Sequence, residues 1–337
     1  MNGAGCAKKF LIPLCPTRPF GTVTVSPLQE ICYSGLPMKR YQPYSDFLKT
    51  HFGAKVYKVA LDAGFTCPNR DGKAGRGGCT FCAEGSRAGY VDPSLSLRGQ
   101  MEAGMAKYRE KYGAQKFLAY FQAYTNTHGP LPLLRRVLSE PLDHPDVVGL
   151  SVGTRPDCVG DDVLELLKEL ARDRYLLLEM GIQSLDDKIL AWINRGHDAA
   201  AFVDAVQRSV AKGLRVCAHV ILGFPGETVA SVTQMAKLLS SLGIDGIKIH
   251  NLHVIANTPL ANTYREGGLP MITRGEYTLR VRLLLENLSP KVWVHRVTGE
   301  VPAAEMLAPD WALNKTALLA AIAAELETAD SYQGKFV

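Results

Sequence analysis

Residues 161–182 of the chain read DDVLELLKELARDRYLLLEMGI. The first part predicts a helix over 161–174, because Asp161 and Asp162 supply carboxylates at its start and apolar residues recur behind them at helical spacing. The second part, 175–182, is an apolar run of strand length. A helix that leads directly into such a strand is the repeating unit of a sheet built from β–α units.

The same alternation continues on both sides of this stretch. Strands are predicted at 55–61, 116–124, 147–152, 175–182, 214–222 and 244–252. Helices are predicted at 98–113, 130–140, 161–174, 186–212 and 228–242. Six such units in series imply an α/β fold with a parallel sheet and right-handed crossovers, either an open doubly wound sheet or a closed or partly closed barrel. In both forms ligands bind at the carboxyl ends of the strands.

The pattern divides the chain into three parts. Residues 1–37 contain five prolines and little periodicity, so they are predicted to be an irregular N-terminal extension, with Met38 as the functional start. Residues 38–252 carry the strand and helix units of the predicted core. Residues 253–337 form a smaller C-terminal α/β extension. Its elements are predicted at 274–287 (helix), 291–297 (strand) and 314–328 (helix).

Composition narrows the class of protein. A chain with 47% hydrophobic and 21% charged residues is typical of a globular protein with a sizeable core. The net charge of +5 is compatible with RNA or another anionic partner. The sequence contains no unbroken run of apolar residues long enough to span a membrane. Eight cysteines in 337 residues are too sparse for a disulfide scaffold, and three of them cluster, which predicts a metal site in a reducing, cytoplasmic compartment.

The clustered cysteines lie in the segment CPNRDGKAGRGGCTFC, residues 67–82, directly after the first predicted strand. Its glycines allow the tight backbone that three converging thiolates require. Cys67, Cys79 and Cys82 match an iron–sulfur cube that leaves one iron open. Two alternatives remain, namely a zinc knuckle with a fourth ligand such as Cys158 or a histidine, and three buried thiols without a metal.

This segment resembles the cluster loop of the radical S-adenosylmethionine (SAM) superfamily, whose usual spacing is C-x3-C-x2-C. The chain has C-x11-C-x2-C, and this long first interval resembles the YhcC/YtqA-type proteins and, more distantly, the catalytic subunit of elongator. The resemblance implies that the three cysteines hold a [4Fe–4S] cluster. It also implies that Phe81, between the last two cysteines, lies near the adenine of SAM.

Further motifs follow other predicted strands. The stretches MGIQS at 180–184 and INRGH at 193–197 resemble the SAM-binding region of oxygen-independent coproporphyrinogen dehydrogenases. The resemblance implies that Gln183 binds the ribose of SAM and Arg195 its carboxylate, roles that suit an amide and a guanidinium. It also places Gly223 near the adenine. His219 stands where that branch has an acidic second ribose ligand.

Several predicted site residues have weaker signals. Gln122 occupies the position of the family motif that binds the SAM amino group, and it is predicted to accept a hydrogen bond from that group. Three residues at predicted strand ends are candidates for catalysis: Cys158, Tyr124 and His250. Each has an ordinary alternative, since Cys158 is of a type that is often buried, Tyr124 can pack within a strand and His250 can be a satisfied histidine.

The resemblance implies a parallel (βα)6 partial barrel like that of a TIM barrel, with cluster and SAM at its mouth. The implied reaction is reductive cleavage of SAM to a 5′-deoxyadenosyl radical, which takes a hydrogen atom from the substrate. A reductant such as flavodoxin or ferredoxin is the expected partner.

The substrate stays open between two classes. Elongator and YtqA-type relatives are associated with the wobble uridine of tRNA, and Arg70, Arg76 and Arg87 fit an RNA partner. The coproporphyrinogen branch favours a tetrapyrrole or another small anionic molecule. Two other classes are a non-enzymatic zinc-stabilised RNA-binding protein and a cluster-carrying redox or sensor protein. Neither needs the Gln183 and Arg195 pair.

Overall fold

The computed structural model describes residues 39–83, 91–122 and 124–337. The predicted extension 1–37 and Arg87 lie outside these residues. The strands are β1 Val56–Leu61, β2 Lys116–Phe121, β3 Val147–Thr154, β4 Tyr175–Gln183, β5 Arg215–Leu222, β6 Gly246–Asn251, β7 Val254–Ile255, β8 Trp293–Arg296 and β9 Met306–Ala308. The helices are α1 Tyr44–Phe52, α2 Pro68–Asp71, α3 Leu97–Tyr112, α4 Leu131–Ser139, α5 Asp161–Leu170, α6 Asp187–Trp192, α7 Ala199–Ala211, α8 Val229–Ser241, α9 Pro259–Arg265, α10 Arg274–Glu286 and α11 Lys315–Thr328.

Seven strands form one curled parallel sheet in the order β1-β2-β3-β4-β5-β6-β8. Every neighbouring pair is parallel, which confirms the predicted partial barrel. The sheet gains its seventh strand from the predicted C-terminal extension, because β8 pairs with β6. That extension also packs into the main core, where Val281, Leu284 and Leu285 of α10 are fully buried.

The prediction of a single helix over 186–212 is wrong, because the chain forms two helices there. The chain leaves α6 after Trp192 and begins α7 at Ala199. Between them Asn194 and Gly196 adopt left-handed backbone angles, with φ of 52° and 74°, which a helix cannot include. The Asp198 side chain then caps α7 by accepting a hydrogen bond from the backbone N–H of Ala201.

Most of the helices pack on the outer face of the sheet, and their apolar stripes fill the main core. In α5 the buried residues are Val163, Leu164, Leu166 and Leu167, as the helical spacing predicts. A second, smaller cluster lies where Tyr44 of α1 meets Tyr175, Leu177 and Cys217 of the sheet. The phenol oxygens of Tyr44 and Tyr175 are 3.0 Å apart in this cluster. Within the described ranges, no helix combines the length and apolarity needed to cross a lipid bilayer.

Candidate active site at the carboxyl edge of the sheet

The three clustered cysteines lie on one folded loop after β1. Cys67 precedes the short helix α2, and the loop turns at Gly72, whose φ is 94°. Cys79 is buried, while Cys67 and Cys82 are half-buried, and all three are free thiols. Burial raises the pKa of the Cys82 thiol, and the negative charges of Cys79 and Cys67 act in the same direction. The loop therefore brings the three sulfurs into electrostatic contact.

The loop is fastened to the segment between α6 and α7. The Asn194 side-chain amide donates hydrogen bonds to the carbonyls of Gly78, at 2.8 Å, and Arg76, at 3.2 Å. In return, the Asn69 amide donates to the Asn194 carbonyl at 2.5 Å, and the Thr80 N–H donates to that of Ile193 at 3.0 Å. These bonds make the cysteine loop and residues 193–197 one hydrogen-bonded unit.

Arg195 lies inside this unit, beside a cysteine sulfur. Its side chain is buried, with 7% of the residue exposed. The guanidinium donates through Nη2 to the Gly181 carbonyl and through Nη1 to Cys79 Sγ at 3.5 Å. Asn69 Nδ2 is a second donor to the same sulfur, at 3.7 Å. Two N–H donors therefore converge on Cys79.

Arg155 supports the same unit from the end of β3. Its Nη1 donates to the Arg195 carbonyl at 2.9 Å. Its remaining donors form a two-point ion pair with the Asp157 carboxylate, at 2.9 and 2.8 Å. Because a guanidinium held at both ends has little freedom, Arg155 fixes the backbone that carries Arg195.

Gln183 and Arg195, predicted from separate motifs, lie side by side over Gly181. Gln183 ends β4 with a left-handed φ of 72°. A Cβ atom at Gly181 would lie 2.5 Å from Gln183 Nε2 and 3.0 Å from Arg195 Nη2. A larger residue at 181 would therefore push the ends of both side chains away from their present positions. Gly181 lies within the MGIQS motif, but nothing in its sequence context marks it as a site residue.

The other predicted SAM contacts are spread along the same edge. Phe81 packs against the main core and Gln122 is half-buried just after β2. Gly223 has a φ of 102°, and a Cβ atom there would lie 2.8 Å from a terminal carbon of Ile272. The chain therefore needs glycine at 223 for its own backbone and packing. The predicted approach of an adenine ring to Gly223 stays a prediction.

A charged cluster lies on the inner face of the curled sheet below this edge, and we call this part of the inner face the lumen. Its centre is Glu179 of β4, whose side chain is fully buried. Glu179 Oε1 accepts from Lys58 Nζ and from Ser151 Oγ, each at 2.5 Å. Its Oε2 accepts from His219 Nε2 at 2.8 Å and from Lys248 Nζ. One carboxylate of β4 thus joins residues from four other strands, β1, β3, β5 and β6.

The electrostatics of this cluster follow from burial and from the lysine charges. Burial opposes the ionisation of Glu179, but Lys248 and Lys58 outweigh it and hold its pKa well below the usual range. Burial, aided by the Lys248 charge, lowers the pKa of His219 to about 4. Burial and the nearby Arg296 guanidinium hold the pKa of His250 well below its ordinary value. Both histidines are therefore neutral at pH 7.

The lumen changes the interpretation of two predicted residues. His219 Nε2 is already hydrogen-bonded to Glu179. The predicted contact of His219 with a SAM ribose stays a prediction, and other atoms of the ring would have to make it. His250 accepts a hydrogen bond from Arg296 Nη2 at 2.7 Å, and its ring centre lies 5.8 Å from that of His219. His250 is therefore a lumen residue rather than an isolated satisfied histidine.

Two family models match the chain over most of the residues that form this site. A model described as the radical SAM superfamily matches residues 69–239, and one described as the Radical_SAM C-terminal domain matches residues 244–328. The chain belongs to the radical SAM superfamily. It is an enzyme of that superfamily, which confirms the predicted family and enzyme class.

Similar proteins agree with this assignment. The radical SAM chain is 42% identical to protein YtqA of Bacillus subtilis strain 168 over 299 residues, covering 88% of this chain and 93% of YtqA. It is 40% identical to protein YhcC of Escherichia coli K12 over 269 residues, covering 80% of this chain and 86% of YhcC. A tRNA uridine(34) acetyltransferase of Dehalococcoides mccartyi is 27% identical over 159 residues, 46% of this chain and 34% of that protein.

A solved structure shows the same fold. The archaeal Elp3 of Methanocaldococcus infernus, with its N-terminus deleted, has a TM-score of 0.63 to this radical SAM chain at 19% sequence identity. The likeness covers 82% of this chain and 64% of that one, so this chain spans slightly less than two thirds of that protein.

The N–H donors around Cys79 indicate whether the loop suits the iron–sulfur cluster of a radical SAM enzyme. Among residues 39–83, 91–122 and 124–337, no three His, Cys, Asp or Glu side chains are grouped so as to hold a single metal ion. A cluster makes a different demand, because each of its thiolates binds a different iron. The N–H groups of Arg195 and Asn69 directed at Cys79 suit a negatively charged, metal-bound sulfur. The loop therefore fits a cluster.

The remaining candidates lie beside the loop. Burial raises the pKa of Cys158 to about 12, aided by the Asp157 charge, so its thiol stays protonated at neutral pH. Tyr124 has a strained φ of 58° and lies under the Arg70 guanidinium, 5.5 Å from it. Tyr124 lines a pocket beside the loop together with Arg70 and Gly77, and the catalytic roles of Tyr124 and Cys158 stay predictions.

Proposed function

We propose that this radical SAM enzyme holds a [4Fe–4S] cluster on Cys67, Cys79 and Cys82 and acts on the wobble uridine of tRNA. The observation that carries the cluster assignment is the paired donation of Arg195 and Asn69 to Cys79 within a loop that gathers three thiols. Resemblance to tRNA uridine(34) acetyltransferases over 46% of the chain supports the RNA substrate. The net charge of +5 supports it as well.

Each part of the site has a role in this proposal. When bound, the cluster and SAM together supply a 5′-deoxyadenosyl radical that removes a hydrogen atom from the substrate. Gln183 offers an amide to the ribose hydroxyls of SAM. Arg195, held by Gly181 and Cys79, presents its guanidinium to the SAM carboxylate. The buried polar lumen orients the substrate below them.

A second candidate substrate is a small anionic molecule such as a tetrapyrrole. The excess of cationic side chains in the lumen favours it, because Lys58, Lys248 and Arg296 outnumber the single carboxylate of Glu179. In either case the enzyme needs one-electron reduction, for which we propose a small carrier such as flavodoxin or ferredoxin in the cytoplasm.

The test is made under nitrogen. The protein is reconstituted with iron and sulfide, and iron content, 5′-deoxyadenosine formation with dithionite and SAM, and the nucleosides of added tRNA are measured. We expect about four irons per chain, 5′-deoxyadenosine, and a change confined to the wobble uridine. Cys82→Ala should lose all three, while Cys217→Ala, a buried cysteine outside the loop, should keep its iron. SAM cleavage with unchanged tRNA would overturn the RNA substrate alone, and a stable zinc protein would overturn the cluster.

A further inference from the structure

The lumen carries more positive than negative charge. Lys58, Lys248 and Arg296 are three cations, and the two lysines share one carboxylate, that of Glu179. Across the described part of the chain, Arg296 has no carboxylate within ion-pair distance and its side chain donates only to His250. Since the neighbouring histidines are neutral, a surplus of two positive charges faces the lumen.

Such a surplus is costly in a partly desolvated space. The Lys248 side chain is 8% exposed and that of Lys58 is 18% exposed, so both ammonium groups have lost most of their water. A buried charge without a partner is strongly unfavourable, whereas a bound counter-ion returns the lost stabilisation. The Glu179 carboxylate can neutralise only one of the two lysines, so an anion is the missing component.

The surplus lies next to the reaction centre rather than at a remote surface. In the β4–β5 register Gly181 pairs with His219, and in the β5–β6 register His219 pairs with Lys248. Gly181 is the residue over which Gln183 and Arg195 meet. Lys248 therefore lies level with Gly181, two strands across the sheet, and Arg296, which is exposed, would meet a group bound there from the solvent side.

We propose that Lys248, Lys58 and Arg296 bind an anionic group of the substrate, a carboxylate or a phosphate, inside the lumen. Glu179 is the positioning residue, because its two oxygens hold the lysines on opposite sides of one carboxylate. The identification of the anion as part of the substrate rests on the proposed function. The site itself does not, since it is made by side chains of the chain alone.

The experiment uses the reconstituted protein without SAM or tRNA, titrated calorimetrically with inorganic phosphate and separately with acetate at constant ionic strength. We expect at least one anion to bind, and the preferred one identifies the group as phosphate or carboxylate. Arg296→Gln should weaken that binding about tenfold or more, since it removes a charge directed at a partly desolvated anion. Lys248→Met should weaken it further.

The control is Lys291→Gln, which removes an exposed charge just before β8 and should bind as the wild type does. Arg296→Gln keeps the test decisive if Lys248→Met does not fold, because Arg296 is exposed and makes no ion pair within the described ranges. Failure of both anions to bind, or unchanged affinity in Arg296→Gln, overturns the inference. Anion binding with unmodified tRNA would overturn only the proposed RNA substrate.

Discussion

The cysteine loop and the lumen are neighbours that are built in opposite ways. The loop is held by hydrogen bonds between amide side chains and backbone carbonyls, chiefly those of Asn194 and Asn69. The lumen is held by formal charges around one buried carboxylate, Glu179. The loop therefore depends on the local path of the backbone, and the lumen depends on the balance of charge between strands.

This difference assigns different tasks to the two regions. The donors to Cys79 are the Asn69 amide and the Arg195 guanidinium, and both fix the position of the sulfur, which suits a redox centre whose own charge changes. The lumen instead keeps an incomplete set of charges that a ligand can complete. Variants in the two regions should consequently fail in different assays.

Glu179→Gln should have the largest effect on stability. An amide cannot compensate Lys58 and Lys248, and removal of one partner from a buried ion pair costs about 3–5 kcal/mol. Urea unfolding measures this loss. Glu165→Gln, which breaks an exposed pair with Lys212, should change the free energy of unfolding by less than about 0.5 kcal/mol. If Glu179→Gln were as stable as that control, the ion pairs of Glu179 would not stabilise the fold around the lumen.

Asn194→Gly should loosen the cysteine loop with a smaller effect on stability. Glycine accepts the left-handed φ of 52°, so the substitution removes only the bonds to Gly78 and Arg76. We expect a loss of about 1–3 kcal/mol and a lower iron content after reconstitution.

Asn257→Gly is the matched control, because Asn257 also has a left-handed φ, of 61°, and is an exposed residue distant in sequence from the cysteine loop. It should keep its iron. Equal iron contents in the two variants would contradict the conclusion that residues 193–197 hold the cysteine loop in place.

Asn69→Ala should shift the redox midpoint rather than abolish iron binding. It removes one of the two N–H donors to Cys79, and hydrogen bonds to cluster sulfurs raise the reduction potential. The midpoint, measured by potentiometric titration followed by electron paramagnetic resonance, should become more negative. The comparison is made at equal iron content, and an unchanged midpoint would mean that this donor does not act on the cluster.

The smallest predicted effect is a pH dependence of the lumen. Burial, with the Lys248 charge acting in the same direction, lowers the pKa of Lys58 to about 8. Lys58 therefore loses its proton as the pH rises through about 8, and the lumen loses one positive charge. Affinity for sulfate, whose own charge is constant in this range, should fall between pH 7 and pH 9. Lys58→Met should remove this step, and a step that persisted would belong to another group.

Much of the site was predictable because its motifs are local. Cys67, Cys79 and Cys82 are neighbours in sequence, and their spacing alone indicates a shared centre. Their motifs predict that Gln183 and Arg195 contact different parts of one SAM molecule, and the structure places both side chains over Gly181. The break between α6 and α7 was missed, because the apolar spacing on both sides is helical and only Gly196 marks the turn.

The sequence by itself determined that strands and helices alternate, that the sheet is parallel, and that three thiols gather after its first strand. Those features depend on residue spacing over short distances. Only the tertiary structure decided that β8 extends the sheet beside β6 and that Lys58, Glu179 and Lys248 share one ion-pair network. These residues come from strands far apart in the chain, and a period of two assigns a side chain to a face of its strand without stating which face looks inward. Strand register and sheet curvature decide which face looks inward, and therefore which charged side chains line the lumen.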